Sequence, residues 1–271
     1  MSARAGASGG YDAPAAGGAP DARVRAWWAH GFTLACLAIW WGASLVLPPY
    51  LIAGPVQVAT RALGFFTNWF DAANLLISLA HVLASVVLAM GIGIGLALLA
   101  WTVPRTRLMI RQRWYPFLNA FSGIGWAIIA MLWFGPSHAT VLFAMTTVMV
   151  PFVFINVSEG LQALDQELLE MGRSFTRHGG RVFLGIVLPA LYPFLFAALR
   201  ITVGVAWKST LLAELFGTNE GLGFMVNQAR LAFDSRTIMA VILLIILNVF
   251  LIDRFIFEPL QKRLARHYEP V

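Results

Sequence analysis

Charged residues are absent from three long stretches of the chain, residues 26–60, 72–104 and 114–158. Each meets or exceeds the roughly 20 residues that span a hydrocarbon core. With two further apolar runs nearer the C-terminus, the pattern predicts six transmembrane helices, over about residues 27–47, 74–100, 115–134, 138–157, 190–213 and 237–257. The third and fourth share one charge-free stretch too long for a single helix, and they divide at the turn-forming cluster Gly135-Pro136-Ser137-His138. The fold class that follows is all-α, a polytopic membrane bundle.

One connection breaks the pattern of short links. About 30 residues separate the fourth and fifth runs, and within them Leu161, Leu164, Leu168, Met171 and Phe175 recur every three or four positions. That spacing predicts a helix outside the bilayer with one apolar stripe. Gly179-Gly180 is expected to end it, and a second short stretch, residues 181–188, leads to Pro189 at the mouth of the fifth span. An exposed apolar stripe on such an elbow, about residues 158–189, calls for a partner surface.

Composition agrees with this reading. The chain is 59% hydrophobic and only 12% charged, more apolar surface than one water-soluble core can hide. A net charge of +6 could indicate nucleic acid, but the basic residues punctuate the apolar runs instead of forming a patch, so no nucleic-acid partner is expected. Arginines precede the first run (Arg23, Arg25), fill the second connection (Arg105, Arg107, Arg111, Arg113) and the fourth (Arg173, Arg177, Arg181), and follow the last run with Lys262. Six spans with both termini cytoplasmic put all these clusters inside. Residues 1–25, rich in Gly, Ala and Pro, read as a disordered cytoplasmic tail, residues 26–260 as the membrane domain, and residues 261–271 as a cytoplasmic C-terminal tail. The first run ends without an A-x-A-like site and does not read as a cleavable signal. The single cysteine, Cys36, excludes an intramolecular disulfide.

The elbow also carries a motif. Glu170-Met171-Gly172, then Thr176, then Ile186-Val187-Leu188-Pro189 resembles the cytoplasmic signature of permease subunits of binding-protein-dependent ABC importers: E-A-A, three residues, G, nine residues, I-x-L-P. Met171 stands in place of an alanine and Thr176 in place of the glycine, so flexibility at the bend is expected from Gly179-Gly180 instead. Further segments, among them Leu47-Pro48-Pro49, Trp133-Phe134-Gly135, Leu199-Arg200, Glu214-Leu215, Gly221-Leu222-Gly223 and Asp253-Arg254, are similar to the branch that imports nitrate, taurine and alkanesulfonates. The resemblance implies that Glu170, Met171, Gly172, Thr176, Ile186, Leu188 and Pro189 form the ATPase-coupling elbow. It also implies a homodimer in a bacterial inner membrane, a pair of ATP-binding ABC subunits that hold ATP and magnesium, an external solute-binding protein, and a small anionic solute moved by alternating access.

Nothing in the sequence gives this chain its own energy source or chemistry. It lacks a G-x-x-x-x-G-K-[ST] loop, a metal-ligand cluster (Asn248 and Asp253 are too few and too far apart) and a nucleophile in a G-x-S-x-G setting. No cofactor of its own is expected, nor enzymatic activity. An ion-coupled carrier or channel would also have six spans, but should show intramembrane acids and paired halves. Candidate pathway residues are Lys208, about six residues below the outer end of the fifth span, His81 in the second, and Glu214 near the outer end of the fifth. Each has a plainer reading: Lys208 snorkels, His81 hydrogen-bonds within the bundle, and Glu214 is interfacial. Arg200 either snorkels to the cytoplasmic face, gates, or pairs with an acidic loop residue. Gly91 and Gly95, one turn apart, are expected to admit a neighbouring helix closely.

Overall fold

The computed structural model describes residues 22–262 apart from Pro49 and Arg177, so most of both predicted tails lies outside the described residues. Among these, every regular element is helical. Helix α1 (Ala22–Val46) is followed by α2 (Pro55–Thr67), α3 (Trp69–Thr102), α4 (Pro104–Met109), α5 (Tyr115–Ala120), α6 (Gly123–Phe134) and α7 (His138–Gln162). After these come α8 (Gln166–Phe175), α9 (Gly179–Val182), α10 (Leu188–Gly217), α11 (Leu222–Leu231) and α12 (Ser235–Ile252).

Four stretches are helical, apolar and long enough to cross a membrane without interruption: Trp69–Thr102, His138–Gln162, Gly179–Gly217 and Ser235–Lys262. The predicted first span is shorter, with its apolar part at Gly31–Val46. The predicted third is broken: Gln112–Ala120 and Gly123–Phe134 meet at 90°. Its break has a local cause, because the Ser122 hydroxyl accepts from Gly125 N and starts α6 afresh, while the Trp126 indole N–H donates to Leu118 O across the corner at 3.2 Å. Helix α2, absent from the sequence expectation, begins on Pro55, a residue suited to a first helical turn.

Helices α3, α7 and α10 form the centre of the bundle, with α6 against them, and α2 and α12 pack together at one side. Close approach of α3 to α7 runs along His81, Ser85, Ala89, Gly93 and Ala97, buried residues spaced four apart. A Cβ on Gly93 would lie 2.6 Å from Val153 Cβ, whereas Gly91 and Gly95 face nothing within 4 Å. The sequence expectation therefore chose the wrong glycine pair: the four-residue series of small residues, not the two glycines, marks the contact. At the far side of α7, a Cβ on Gly160 would press on Phe194 and Leu191 of α10 at 2.6 and 2.8 Å.

Three wide turns with i→i−5 hydrogen bonding interrupt the helices, at Ile110–Trp114, Phe183–Val187 and Asp253–Phe257. Each ends two residues before a proline, Pro116, Pro189 and Pro259. A proline ring cannot donate to the ladder and crowds the carbonyl four residues earlier, so widening the preceding turn keeps the helix continuous.

Candidate coupling elbow and buried polar network

The elbow starts where α7 ends. Leu161 belongs to the last turn of α7 and is buried, so the predicted stripe is divided between two helices. Asp165 caps α8 by accepting from Glu167 N at 2.9 Å, a favourable anion at a helix N-terminus. Within α8, Leu169 is buried against the bundle, while Leu168, Met171 and Phe175 are exposed, Phe175 by 84%. Leu184, on the following stretch, is also exposed. Glu170 is exposed beside this apolar surface.

Gly172 sits on the inner face, where any Cβ would overlap Ile186 Cδ1. This contact joins the two halves of the motif: a larger residue at Gly172 would have to push the Ile186 side chain aside. The bend at Thr176 is made in extended backbone, φ −150° and ψ 134°, which any residue adopts. Thr176 therefore costs the turn nothing, and its hydroxyl accepts from His178 N at 3.3 Å. Gly179-Gly180 does not end the first helix, which stops at Phe175. The pair opens the second, without positive φ and with no atom near their missing side chains. From Gly179 the chain runs as one helix to Gly217, passing through the wide turn that contains Ile186, then Leu188 and Pro189. Cavities of about 230 and 390 Å³ lie under the elbow, and Trp101 lines both. Ser158, on the wall of the smaller cavity, is buried, and its hydroxyl has no partner among the described residues.

At the opposite end, the expected interfacial placement of Glu214 does not hold, because its side chain is completely buried. The carboxylate accepts from Ser78 Oγ at 2.7 Å, from Gly223 N at 2.9 Å and, through its other oxygen, pairs with His81 Nδ1 at 2.8 Å. Gly221, at φ 95°, and Gly223 wrap round it so closely that a Cβ on either would lie 2.5 Å from Glu214. Asn74 and Ser78 accept from Gly221 N and Leu222 N, both at 2.7 Å. His81 thus hydrogen-bonds within the bundle, and its Nε2 lies 2.9 Å from His138 Nδ1. A second buried acid, Asp71, is bonded to Arg61 Nη1 at 2.5 Å; Arg61 Nε donates to Thr237 Oγ1, tying α2 to α3 and α12. Periodicity reveals neither acid as buried; the Glu-to-Gly-Leu-Gly spacing is the one sequence signal for Glu214.

Arg200 pairs with Asp253 on the helix that continues α12, not with a loop acid, and also donates to Gln261. Two turns further along α10, Lys208 is exposed and makes no hydrogen bond or ion pair among the described residues. It lies nine residues before Gly217, deeper than expected because α10 is longer than the predicted span. A cleft of about 540 Å³ between α10 and α12 is lined by Lys208, Arg200 and Asp253 with Trp207, Val249 and Phe250. The Trp207 indole N–H has no partner among the described residues.

Residues 22–266 match the family described as binding-protein-dependent transport system inner membrane component. Among similar proteins, one from Brucella abortus (strain 2308), named as an ABC transporter permease, is 26% identical over 81% of this chain and 87% of its own length. The SsuC protein of Bacillus subtilis (strain 168), named for aliphatic sulfonates transport, is 24% identical over 90% and 89%. The taurine transport system permease TauC of Escherichia coli (strain K12) is 24% identical over 84% and 85%. Permeases of this kind work with a separate ATPase and a solute-binding protein, which sets aside the ion-coupled carrier. The chain therefore belongs to the family of binding-protein-dependent transport system inner membrane components, as a multi-pass transport subunit and not an enzyme.

Proposed function

We propose that this subunit couples ATP hydrolysis in a partner to import of a small anionic solute, as one of two copies in a bacterial inner membrane. The carrying observation is the elbow: an exposed apolar stripe of Leu168, Met171, Phe175 and Leu184 beside Glu170, held to the bundle through Gly172 and Ile186. A water-facing stripe of this kind is stable when a partner covers it. In this reading the ATPase pair, which holds ATP and magnesium, receives the stripe in a surface cleft. Closure of that pair moves α8, and the Gly172–Ile186 contact passes the movement into the helix that runs from Gly179 to Gly217.

Both termini lie on the elbow side, the cytoplasm, and the solute-binding protein docks at the Glu214 end. Two copies enclose the route along a two-fold axis, with Lys208 of each facing it. The free ammonium in an otherwise largely apolar cleft supports an anionic solute, in line with the sulfonate and taurine named for the relatives. His81 and Glu214 line no route in this reading; they hold the outer end together.

Glu170→Lys in the complete transporter is expected to leave the chain inserted while the ATPase subunit dissociates and uptake is lost; normal uptake with a tightly held ATPase overturns the elbow assignment. For orientation, with Cys36 replaced by Ala, Arg230→Cys should react with an impermeant thiol reagent outside intact spheroplasts and Gln112→Cys only after lysis. Lys208→Met should cut anion uptake at least tenfold while Lys208→Arg keeps part of it. Unchanged uptake in Lys208→Met would make the residue a membrane anchor.

A further inference from the structure

After α1 the chain doubles back before α2 begins. The Trp40 indole N–H donates to Ala53 O at 3.1 Å, and Trp40 lies well before Val46, the last residue of α1. At ~1.5 Å per residue the loop has therefore returned about 9 Å below the tip of α1 when it reaches Ala53. Ala53 is fully buried. The returning backbone is largely satisfied from within: Leu51 N and Ile52 N donate to Pro48 O at 2.9 and 3.3 Å, and Pro55, which opens α2, has no N–H to leave unpaired. Helix α2 then leads through Asn68 into α3 at the Glu214 end.

The two faces of α2 differ. Val58, Ala62 and Phe65 are buried against the bundle. On the other face Val56, Ala59, Thr60, Leu63, Phe66 and Thr67 are all exposed, Leu63 by 68% and Phe66 by 65%. This outward face has no charge, and its hydroxyls are bonded to the helix itself: Thr60 Oγ1 donates to Gln57 O at 3.0 Å and Thr67 Oγ1 to Gly64 O at 3.1 Å. Gln57 lines a cleft of about 240 Å³ together with Ser44 of α1. The one charged residue of α2, Arg61, is engaged inward, with Nη1 on Asp71, Nε on Thr237 and its guanidinium 4.8 Å over the Phe65 ring. Hydrocarbon demands both features, polar groups satisfied internally and charge paired away from lipid. The exposed apolar surface continues round the corner through Trp69 and Phe70 to Leu76 and Leu83 on α3, a helix long and apolar enough to cross a membrane. Aromatic residues at such a junction suit the boundary between hydrocarbon and water.

We propose that α2 is a lipid-facing helix set into the membrane leaflet at the Glu214 end, with Val56, Leu63 and Phe66 against acyl chains and Trp69 and Phe70 at the polar boundary. The partner of this surface is the bilayer; neither the solute-binding protein nor a second copy of the chain covers it. Arg61 and Asp71 join the membrane-set helix to α3 and α12 as a neutral internal pair. That the leaflet is the outer one rests on the orientation proposed above; the depth of α2 does not.

The test uses the full-length chain in vesicles of phosphatidylethanolamine and phosphatidylglycerol, with Cys36 replaced by Ala and a nitroxide attached at Leu63→Cys or Phe66→Cys, both at exposed positions. Collisions are measured with oxygen, which concentrates in hydrocarbon, and with a nickel chelate, which stays in water. Leu76→Cys serves as the lipid reference and Arg230→Cys as the water reference. The oxygen-to-nickel ratio at both α2 positions is expected to lie at least about threefold above that of Arg230→Cys and near that of Leu76→Cys, because water is excluded from hydrocarbon. A ratio at the level of Arg230→Cys places the face in water, and weak collisions with both reagents place it under protein; either result overturns the proposal. In the assembled transporter, adding the solute-binding protein should leave the Leu63→Cys spectrum unchanged. Slowed motion there would make the face a docking site for that protein and overturn the proposal equally. The depth measurement requires neither the ATPase nor a transported solute, so failure here leaves the transport assignment standing.

Discussion

The two ends of the bundle are built on opposite terms. At the Glu214 end charge is buried and matched: Glu214 has three partners, and Asp71 is held by an arginine that also reaches a third helix. At the elbow end large apolar side chains are exposed, two cavities underlie the surface, and a buried serine hydroxyl lacks a partner among the described residues. The first end is complete as an isolated chain, and the second is not. A matched buried charge network specifies one arrangement of its helices, since loss of a single member strands the rest. Uncovered apolar surface and underlying space permit an element to shift when a partner engages it.

The sharpest way to break this contrast is at Glu214. Glu214→Leu removes the acceptor for Ser78 and Gly223 and strands His81, and is expected to cost about 3–5 kcal/mol, read as lost monodisperse protein after extraction and a melting temperature lower by many degrees. Next comes Gly172→Leu. It presses on Ile186 in the packed inner face of the elbow, and is expected to cost about 1–3 kcal/mol and to reduce solute-stimulated ATP hydrolysis by the assembled transporter at least tenfold. A large drop in melting temperature with normal coupling would reverse the roles assigned to the ends. Asp71→Asn removes a buried charge but keeps the shape, leaving Arg61 partly exposed, and about 2 kcal/mol is expected. At the bottom of the scale stands Arg200→Gln. The Arg200–Asp253 pair is more than a third exposed on both sides, so stability should change by under about 1 kcal/mol.

Most of the membrane architecture was legible because lipid imposes a one-dimensional constraint: a run without charge is long enough to cross or it is not. The broken third span escaped that rule because residues 115–134 are apolar throughout and the interruption is a capping event at Ser122, invisible to hydropathy. Burial of Glu214 escaped for a related reason. Its partners, Ser78, His81 and Gly223, include two that stand more than 130 residues away in sequence, and no local pattern announces them. The elbow was legible as a motif, but the contact between Gly172 and Ile186 was not, since it exists only once two helices have folded back on each other. Thr176 shows the reverse: a substitution that looks disruptive by sequence is harmless, because the bend there uses ordinary extended backbone.

The wide turns before Pro116, Pro189 and Pro259 also act as counters. Each inserts roughly one residue beyond the ordinary helical repeat, so side chains beyond it are rotated by about 100° relative to an uninterrupted helix. In the stretch from Gly179 to Gly217, the face that meets Gly172 and the face that meets α7 and α12 are therefore set by residue number as much as by residue type. Substitutions inside Phe183–Val187 alter one contact at a time. Deleting one residue there would restore the ordinary repeat and turn the whole elbow against the bundle, so this segment should tolerate changes of composition far better than changes of length.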